Sequence, residues 1–225
     1  LDNCNASLVG IVHTETSTGV EQPVEDIARI VHEHGGLLIV DTVASLGGTN
    51  IPVDSWEIDI CYSGSQKCLS APPGIAPVTM NGRARDRILG RKTPIDSWYL
   101  DMGLLIKYWG SERSYHHTAP VSSIYALREA MLLIHEEGLE NGFSRHALNY
   151  TAFKAGIDAM GLSFFVEEPY RAPMINPILA PEGIDEAKLR GRLLQDYGIE
   201  VGGGLGALKG KAFRVGLMGQ CSQKD

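Results

Sequence analysis

Lys67 is the residue best placed for covalent chemistry, and it closes the run Ser63-Gly64-Ser65-Gln66-Lys67. Before the run stands Ile58-Asp59-Ile60-Cys61-Tyr62, whose alternating apolar pattern predicts a strand ending at Tyr62. After it comes Cys68-Leu69-Ser70-Ala71-Pro72-Pro73-Gly74, a turn-rich loop. An amine in small polar company just past a buried strand is partly desolvated, which lowers its pKa and makes it a nucleophile toward carbonyls. An arbitrary lysine is a solvated surface group; an upstream carboxylate changes that reading here. Gly36-Leu37-Leu38-Ile39-Val40-Asp41 reads as a buried strand that terminates in an acid. A Schiff-base lysine together with a buried acid facing a pyridinium nitrogen is what a pyridoxal-phosphate site requires of its protein.

The elements around these residues alternate. Residues 8–13 form a short apolar strand, followed by the hydroxyl-rich loop Glu15-Thr16-Ser17-Thr18-Gly19. Helical spacing of Ile27, Ile30 and Val31 predicts a helix over 23–34, stopped by Gly35-Gly36. Strands alternating with helices argue an α/β sheet with parallel strands and ligands at their C-terminal ends, which sets the Thr16 loop, Asp41 and Lys67 along one rim. Residues 76–80 are a further strand, with Pro77 favouring an edge or late position, and Asn81 caps a helix to about Leu89. The segment 93–118 is aromatic-rich (Trp98, Tyr99, Tyr108, Trp109, Tyr115) and reads as core or interface. Helices are expected over 122–137 and 141–160. Beyond Gly161 the pattern becomes α+β, with strands at 162–166, 174–179, 199–201 and 212–217 and a helix over 185–197 capped by Asp185.

Arg214 sits among Phe213, Val215 and Leu217. A buried guanidinium cannot shed its charge and needs an anion, either a protein carboxylate or a substrate carboxylate held by two parallel bonds. Other motifs carry less. Gly202-Gly203-Gly204-Leu205-Gly206-Ala207 fits a loose dinucleotide fingerprint, but a strand rather than a helix follows it. His13, His116 and His117 lack the ligands to complete a metal set, and the adjacent pair is expected to point to opposite sides of an extended segment. Ser65, His13 and Asp41 could make a hydrolytic triad on paper, yet Ser65 lacks the G-x-S-x-G elbow.

With 225 residues, 44% hydrophobic and 21% charged, the composition is that of a globular protein with room for one sizeable core or more. The net charge of −7 and the absence of a basic block argue against nucleic acid. No apolar run approaches the ~18–20 residues of a membrane span. Cys4, Cys61, Cys68 and Cys221 are scattered and read as reduced thiols.

The motifs His13-Thr14-Glu15-Thr16-Ser17-Thr18-Gly19, Val40-Asp41-Thr42-Val43-Ala44-Ser45-Leu46-Gly47-Gly48, Ser63-Gly64-Ser65-Gln66-Lys67 and Tyr115-His116-His117-Thr118, extended by Pro120 and Arg214-Val215-Gly216-Leu217, occur in this order. The set resembles the class V pyridoxal-phosphate aminotransferases, most of all the alanine–glyoxylate and serine–pyruvate (serine–glyoxylate) group, across essentially the whole chain. The resemblance implies an aspartate-aminotransferase-like, fold type I α/β architecture. Residues 1–140 would be the C-terminal part of the large domain and 141–225 a small α+β domain. It implies Lys67 as the Schiff-base lysine, Asp41 on the pyridine nitrogen, Val43 against the ring face, Thr16 near the phenolic oxygen and Gln66 on the phosphate. Tyr115 and Thr118 would reach the phosphate in the partner subunit of a homodimer with shared sites, and Arg214 would grip the substrate α-carboxylate. The implied reaction moves an amino group from alanine or serine to glyoxylate or pyruvate. The default compartment is the cytoplasm, with peroxisome or mitochondrion as alternatives for a eukaryotic source. Family alternatives are phosphonate or phosphoserine aminotransferases and cysteine desulfurases; the last need a reactive cysteine, for which Cys4 and Cys221 are poor candidates, and usually a histidine where Gln66 stands. Family members also carry a preceding region with a glycine-rich phosphate loop and a ring-stacking aromatic, so these residues are expected to be an internal piece of a longer protein.

Overall fold

The computed structural model describes residues 6–222 and contains two sheets. The first has the order β1 (Leu8–Val12), β2 (Leu37–Asp41), β3 (Ile60–Tyr62), β4 (Val78–Met80). β1, β2 and β3 run parallel, and β4 returns antiparallel at the edge. That edge placement follows from Pro77, which has no N–H for a further ladder but whose carbonyl accepts from Ser63 N at 2.9 Å.

Helix α1 (Val24–Glu33) crosses between β1 and β2 and covers one face of this sheet. Its buried positions Val24, Ala28 and Val31 recur every three or four residues, so one stripe meets Leu38, Val40, Ile58 and Cys61. Complete burial of side chains such as Leu38 and Val40 contributes about 1.5–3 kcal/mol each. Helix α2 (Gly82–Leu89) starts where Asn81 Oδ1 accepts from Ala84 N at 3.0 Å. Helix α3 (Met102–Trp109) starts on Asp101, which accepts from Gly103 N and Leu104 N.

Helices α4 (Val121–Glu137) and α5 (Leu139–Ala159) are separated by Gly138 alone. The second sheet, β5 (Ile175–Leu179), β7 (Ala212–Gly216) and β6 (Gly202–Gly203), is antiparallel. Ile178 and Phe213 from this sheet pack with Ile157 and Phe153 of α5 and with Leu189 of α6 (Glu186–Tyr197). Asp185 caps α6 as its position predicts, accepting from Lys188 N.

Two expected strands are absent. Residues 162–166 make only an isolated bridge from Phe164 to Ile178. There Phe165 is exposed, while the Phe164 ring lies under the Arg171 guanidinium at 4.2 Å; an apolar run supplied packing without a ladder. The strand expected at 199–201 falls instead on Gly202–Gly203, because the register with β7 pairs those glycines with Arg214 and Phe213. Among the described residues no helix is long and apolar enough to cross a membrane.

Candidate active site

Parallel register puts the strand ends side by side: Val12 pairs with Asp41, and Asp41 with Tyr62. The loops that leave these ends are laced together. His13 N donates to Asp41 O at 2.9 Å, and Thr42 donates twice to Tyr62 O, from N at 2.9 Å and from Oγ1 at 2.8 Å. Ser63 Oγ donates to Thr42 O at 3.1 Å. The three strand ends therefore share one edge, and the backbone groups that leave them are bonded to one another, which fixes the side chains they present.

Asp41 stands at the centre. Its Oδ1 accepts from Val43 N at 2.8 Å, an Asx turn that reverses the chain, and its Oδ2 accepts from the Tyr62 hydroxyl at 2.8 Å. Partial burial, then the hydrogen bond to Asp41 and its charge, push the Tyr62 phenol up to about 12, so it remains a donor throughout the neutral range. In the sequence Tyr62 reads only as a strand end, yet its hydroxyl reaches Asp41. The signal that finds it is its equivalent position to Asp41 on the neighbouring parallel strand.

The loop carrying Lys67 is pinned by Ser65, whose N donates to Ile75 O at 3.0 Å and whose Oγ donates to Pro72 O at 2.6 Å. Lys67 is half-buried, and among the described residues no hydrogen bond or ion pair holds its Nζ. Gln66 beside it is exposed. Cys68 turns inward and donates to Ala44 O at 3.5 Å, joining the Lys67 loop to the turn after Asp41. Gly48 permits this approach, since a Cβ there would lie 2.7 Å from Cys68 Sγ and 2.9 Å from Met174 Cε. Burial pushes the Cys68 thiol up to about 11, which keeps it protonated and unreactive. Cys61, Cys68 and Cys221 are all free; Cys4 lies outside the described residues.

Arg214 reaches the same rim from the second sheet. Its Nε donates to Gly203 O at 2.8 Å and its Nη1 to Thr16 O at 3.1 Å. The guanidinium is half-buried rather than buried, and among the described residues no carboxylate pairs with it, so donors remain on it for an anion. Thr16 is presented by a tight turn in which Glu15 accepts from Ser17 N at 2.8 Å and Ser17 Oγ at 2.7 Å. Those two bonds, the side-chain one first, hold the Glu15 carboxyl below its usual range. The turn closes at Gly19, where φ is +76° and a Cβ would sit 2.6 Å from Pro177 Cδ. The Thr16 loop is thus seated on the second sheet twice, through Arg214 and through Gly19.

Tyr115 and Thr118 pair with each other, hydroxyl to hydroxyl at 3.2 Å, and Tyr115 is 78% exposed. Among the described residues no hydrogen bond links them to Asp41, Lys67 or Arg214. The expectation that His116 and His117 point apart is wrong: the backbone bends at His117, and their Nδ1 atoms are 2.9 Å apart. His116 stacks on Trp98 with ring centroids 4.0 Å apart. A Ser65–His13–Asp41 triad does not form, because Ser65 bonds Pro72 O, His13 bonds Ser45 and Asp41 bonds Tyr62.

His13 is fully buried, with Nδ1 2.9 Å from Ser45 Oγ and its ring edge-on to Trp56. Burial lowers it to about 4 from 6.5, so it is neutral in the folded protein at physiological pH. Between these values the unfolded chain binds the additional proton, so stability falls as pH drops from about 6.5 to 4, at a slope of at most about 1.4 kcal/mol per unit. His13→Gln is expected to be less stable than wild type at pH 7. The gap should narrow over this window in urea unfolding, and a constant gap would refute the assignment.

The "Aminotransferase class-V" family profile matches residues 3–220. The (S)-ureidoglycine–glyoxylate transaminase of Bacillus subtilis is 40% identical, covering 97% of this chain and 57% of that protein. The alanine–glyoxylate aminotransferase of Mus musculus is 43% identical over 94% of this chain and 52% of its own length. The crystal structure of alanine–glyoxylate aminotransferase from Nostoc sp. superimposes with a TM-score of 0.96 at 49% identity, covering 99% of this chain and 59% of that one. The chain therefore spans a little over half the length of these relatives, and its fold is that of the fold type I, pyridoxal-phosphate-dependent aminotransferases. Sequence and fold agree that this chain belongs to the class V aminotransferases.

Proposed function

We propose that this chain carries the lysine, ring-nitrogen and carboxylate-binding groups of an enzyme that transfers an amino group from alanine or serine to glyoxylate or pyruvate, with pyridoxal phosphate as cofactor. Glyoxylate is the acceptor named for both the bacterial and the mammalian relatives above, which supports it as the principal acceptor. The observation that carries the reading is the gathering of three unspent groups on one rim. Among the described residues they are a half-buried amine without a partner, a strand-end carboxylate with lone pairs to spare and a half-buried guanidinium without a protein anion.

That donor set fits the cofactor. Lys67 would hold it covalently, Asp41 would keep its ring nitrogen protonated, and Thr16, Val43 and Gln66 would line it. Once bound, the cofactor supplies an electron-withdrawing ring that stabilises negative charge at the substrate Cα. Arg214 would bind the substrate carboxylate and so orient the Cα–H bond, and Lys67 Nζ, displaced by the substrate's amine, would be the base that takes that proton. We further assign Tyr115 and Thr118 to a neighbouring subunit's phosphate site. Their exposure and lack of bonds to this chain's own rim support a homodimer. The two separate sheets, with α4 and α5 between them, support a division near residue 140. A desulfurase is disfavoured because Cys68 is buried and protonated, while Cys221 O is tied to Arg145 and Asn149.

The test uses the full-length gene product. Addition of L-alanine or L-serine without acceptor should convert the bound cofactor's absorbance to that of its amine form, and the faster donor names the physiological one. A protein that takes up no cofactor would overturn the reading. Arg214→Met should lower kcat/KM for both amino acids roughly 10–100-fold. It should spare turnover of a primary amine that has no carboxylate, whereas equal losses would refute its assignment.

A further inference from the structure

Tyr62 has no part in the reading above, yet its hydroxyl is the only side-chain donor bonded to Asp41 among the described residues. Resting on the pyridoxal-phosphate assignment, we propose that Tyr62 is a positioning residue that acts through Asp41 on the cofactor's ring nitrogen. An ionised carboxylate has about four lone-pair sites. Val43 N–H occupies one on Oδ1 and the Tyr62 hydroxyl one on Oδ2, so each oxygen keeps one free. A carboxylate held at a single oxygen still pivots about that bond; held at both, its plane is fixed and the free lone pairs keep one direction. Tyr62 can perform this because it is itself fixed. It is Asp41's register partner on β3, and its carbonyl accepts both from Thr42 N and from Thr42 Oγ1. Its proton is retained at all working pH values, so the donor does not vanish as the solution turns alkaline. No lysine, arginine or histidine pairs with Asp41 among the described residues, so the phenol is the side chain that orients this acid.

The experiment titrates apo full-length protein, as wild type, Tyr62→Phe and Asp41→Asn, with two ligands. One is pyridoxal phosphate; the other is its 1-deaza analogue, which has C–H in place of the ring nitrogen. Phenylalanine keeps the ring, and Tyr62 is 38% exposed, so the unfolding midpoint without cofactor should not move. Tyr62→Phe is expected to weaken pyridoxal phosphate about ten-fold, the size of a lost charge-assisted hydrogen bond, while its affinity for the deaza analogue matches wild type. The pH at which the bound cofactor's spectrum reports loss of the ring-nitrogen proton should also fall. Equal weakening of both ligands would make Tyr62 a packing residue and overturn the inference, as would unchanged affinity for both. If wild type and Asp41→Asn bind both ligands alike, the failure lies with the Asp41 assignment itself, and the inference falls with it.

Discussion

Lys67→Ala is expected to abolish amino transfer, with a fall in kcat of about a thousand-fold or more, and to leave the fold untouched. The two halves of this prediction have separate causes. The amine would serve as both the covalent anchor and the base, and nothing else on the rim replaces it: Asp41 is turned toward Val43 and Tyr62, and His13 is sealed against Ser45. Stability is spared because Lys67 Nζ bonds nothing among the described residues, so its removal strands no buried donor, while Ser65 still pins the loop through Ile75 O and Pro72 O. Three measurements check this. Borohydride treatment of cofactor-loaded wild type should leave the added mass on the peptide containing Lys67, and the variant should gain none. The unfolding midpoints of the apo proteins should coincide. Small primary amines in the buffer should restore part of the lost rate, since the missing group is a base. An added mass on any other lysine would remove Lys67 from the mechanism.

The rim was legible in the sequence because it follows from two general rules acting on clear signals. Apolar runs ending at Asp41 and Tyr62 set the strand ends, and parallel strands carry their ligands at the C-terminal edge. Arg214 was legible as an anomaly, a charge within an apolar strand, though the sequence left its partner open. Tyr62 was not legible as part of the site, because its role depends on strand register, which pairs residues 21 positions apart. The false strand at 162–166 arose where apolar residues pack singly, and the displaced β6 arose because two glycines complete a ladder through backbone alone. The pairing of His116 with His117 required a bend that no residue type announced. Asp59 was visible between Ile58 and Ile60, yet its partners come from three other elements, and only the fold brings them to it.

Asp59→Ala is expected to be the most destabilising single change on the first sheet, by about 3–5 kcal/mol, a large part of the ~5–15 kcal/mol that holds a typical domain. The carboxylate is fully buried and accepts from Leu38 N at 2.7 Å, His32 Nε2 at 3.0 Å and Asn81 Nδ2 at 2.8 Å. Arg83 grips both oxygens from Nη2 at 2.8 Å. One side chain thus joins α1, β2 and the loop and helix after β4, and alanine would strand the buried Leu38 N–H and the largely buried His32 ring without their acceptor. Arg83→Met should cost less, about 1 kcal/mol, because the guanidinium is half-exposed and its loss leaves Asp59 three other donors. Burial pushes the Asp59 carboxyl up, but the bonds from Leu38, Asn81, His32 and Arg83 outweigh it and hold the group below its ordinary range. A depressed carboxyl contributes stability that is present in full above the unfolded value, near 3.9, and is lost as pH falls through the folded one. The wild-type advantage over Asp59→Ala in urea unfolding should therefore stay constant from pH 7 to 5 and shrink only below about 4, a window lower than that of His13. An advantage that persists unchanged into strong acid would mean that packing, and not the ionised carboxylate, ties β2 to β3 in the register that brings Tyr62 to Asp41.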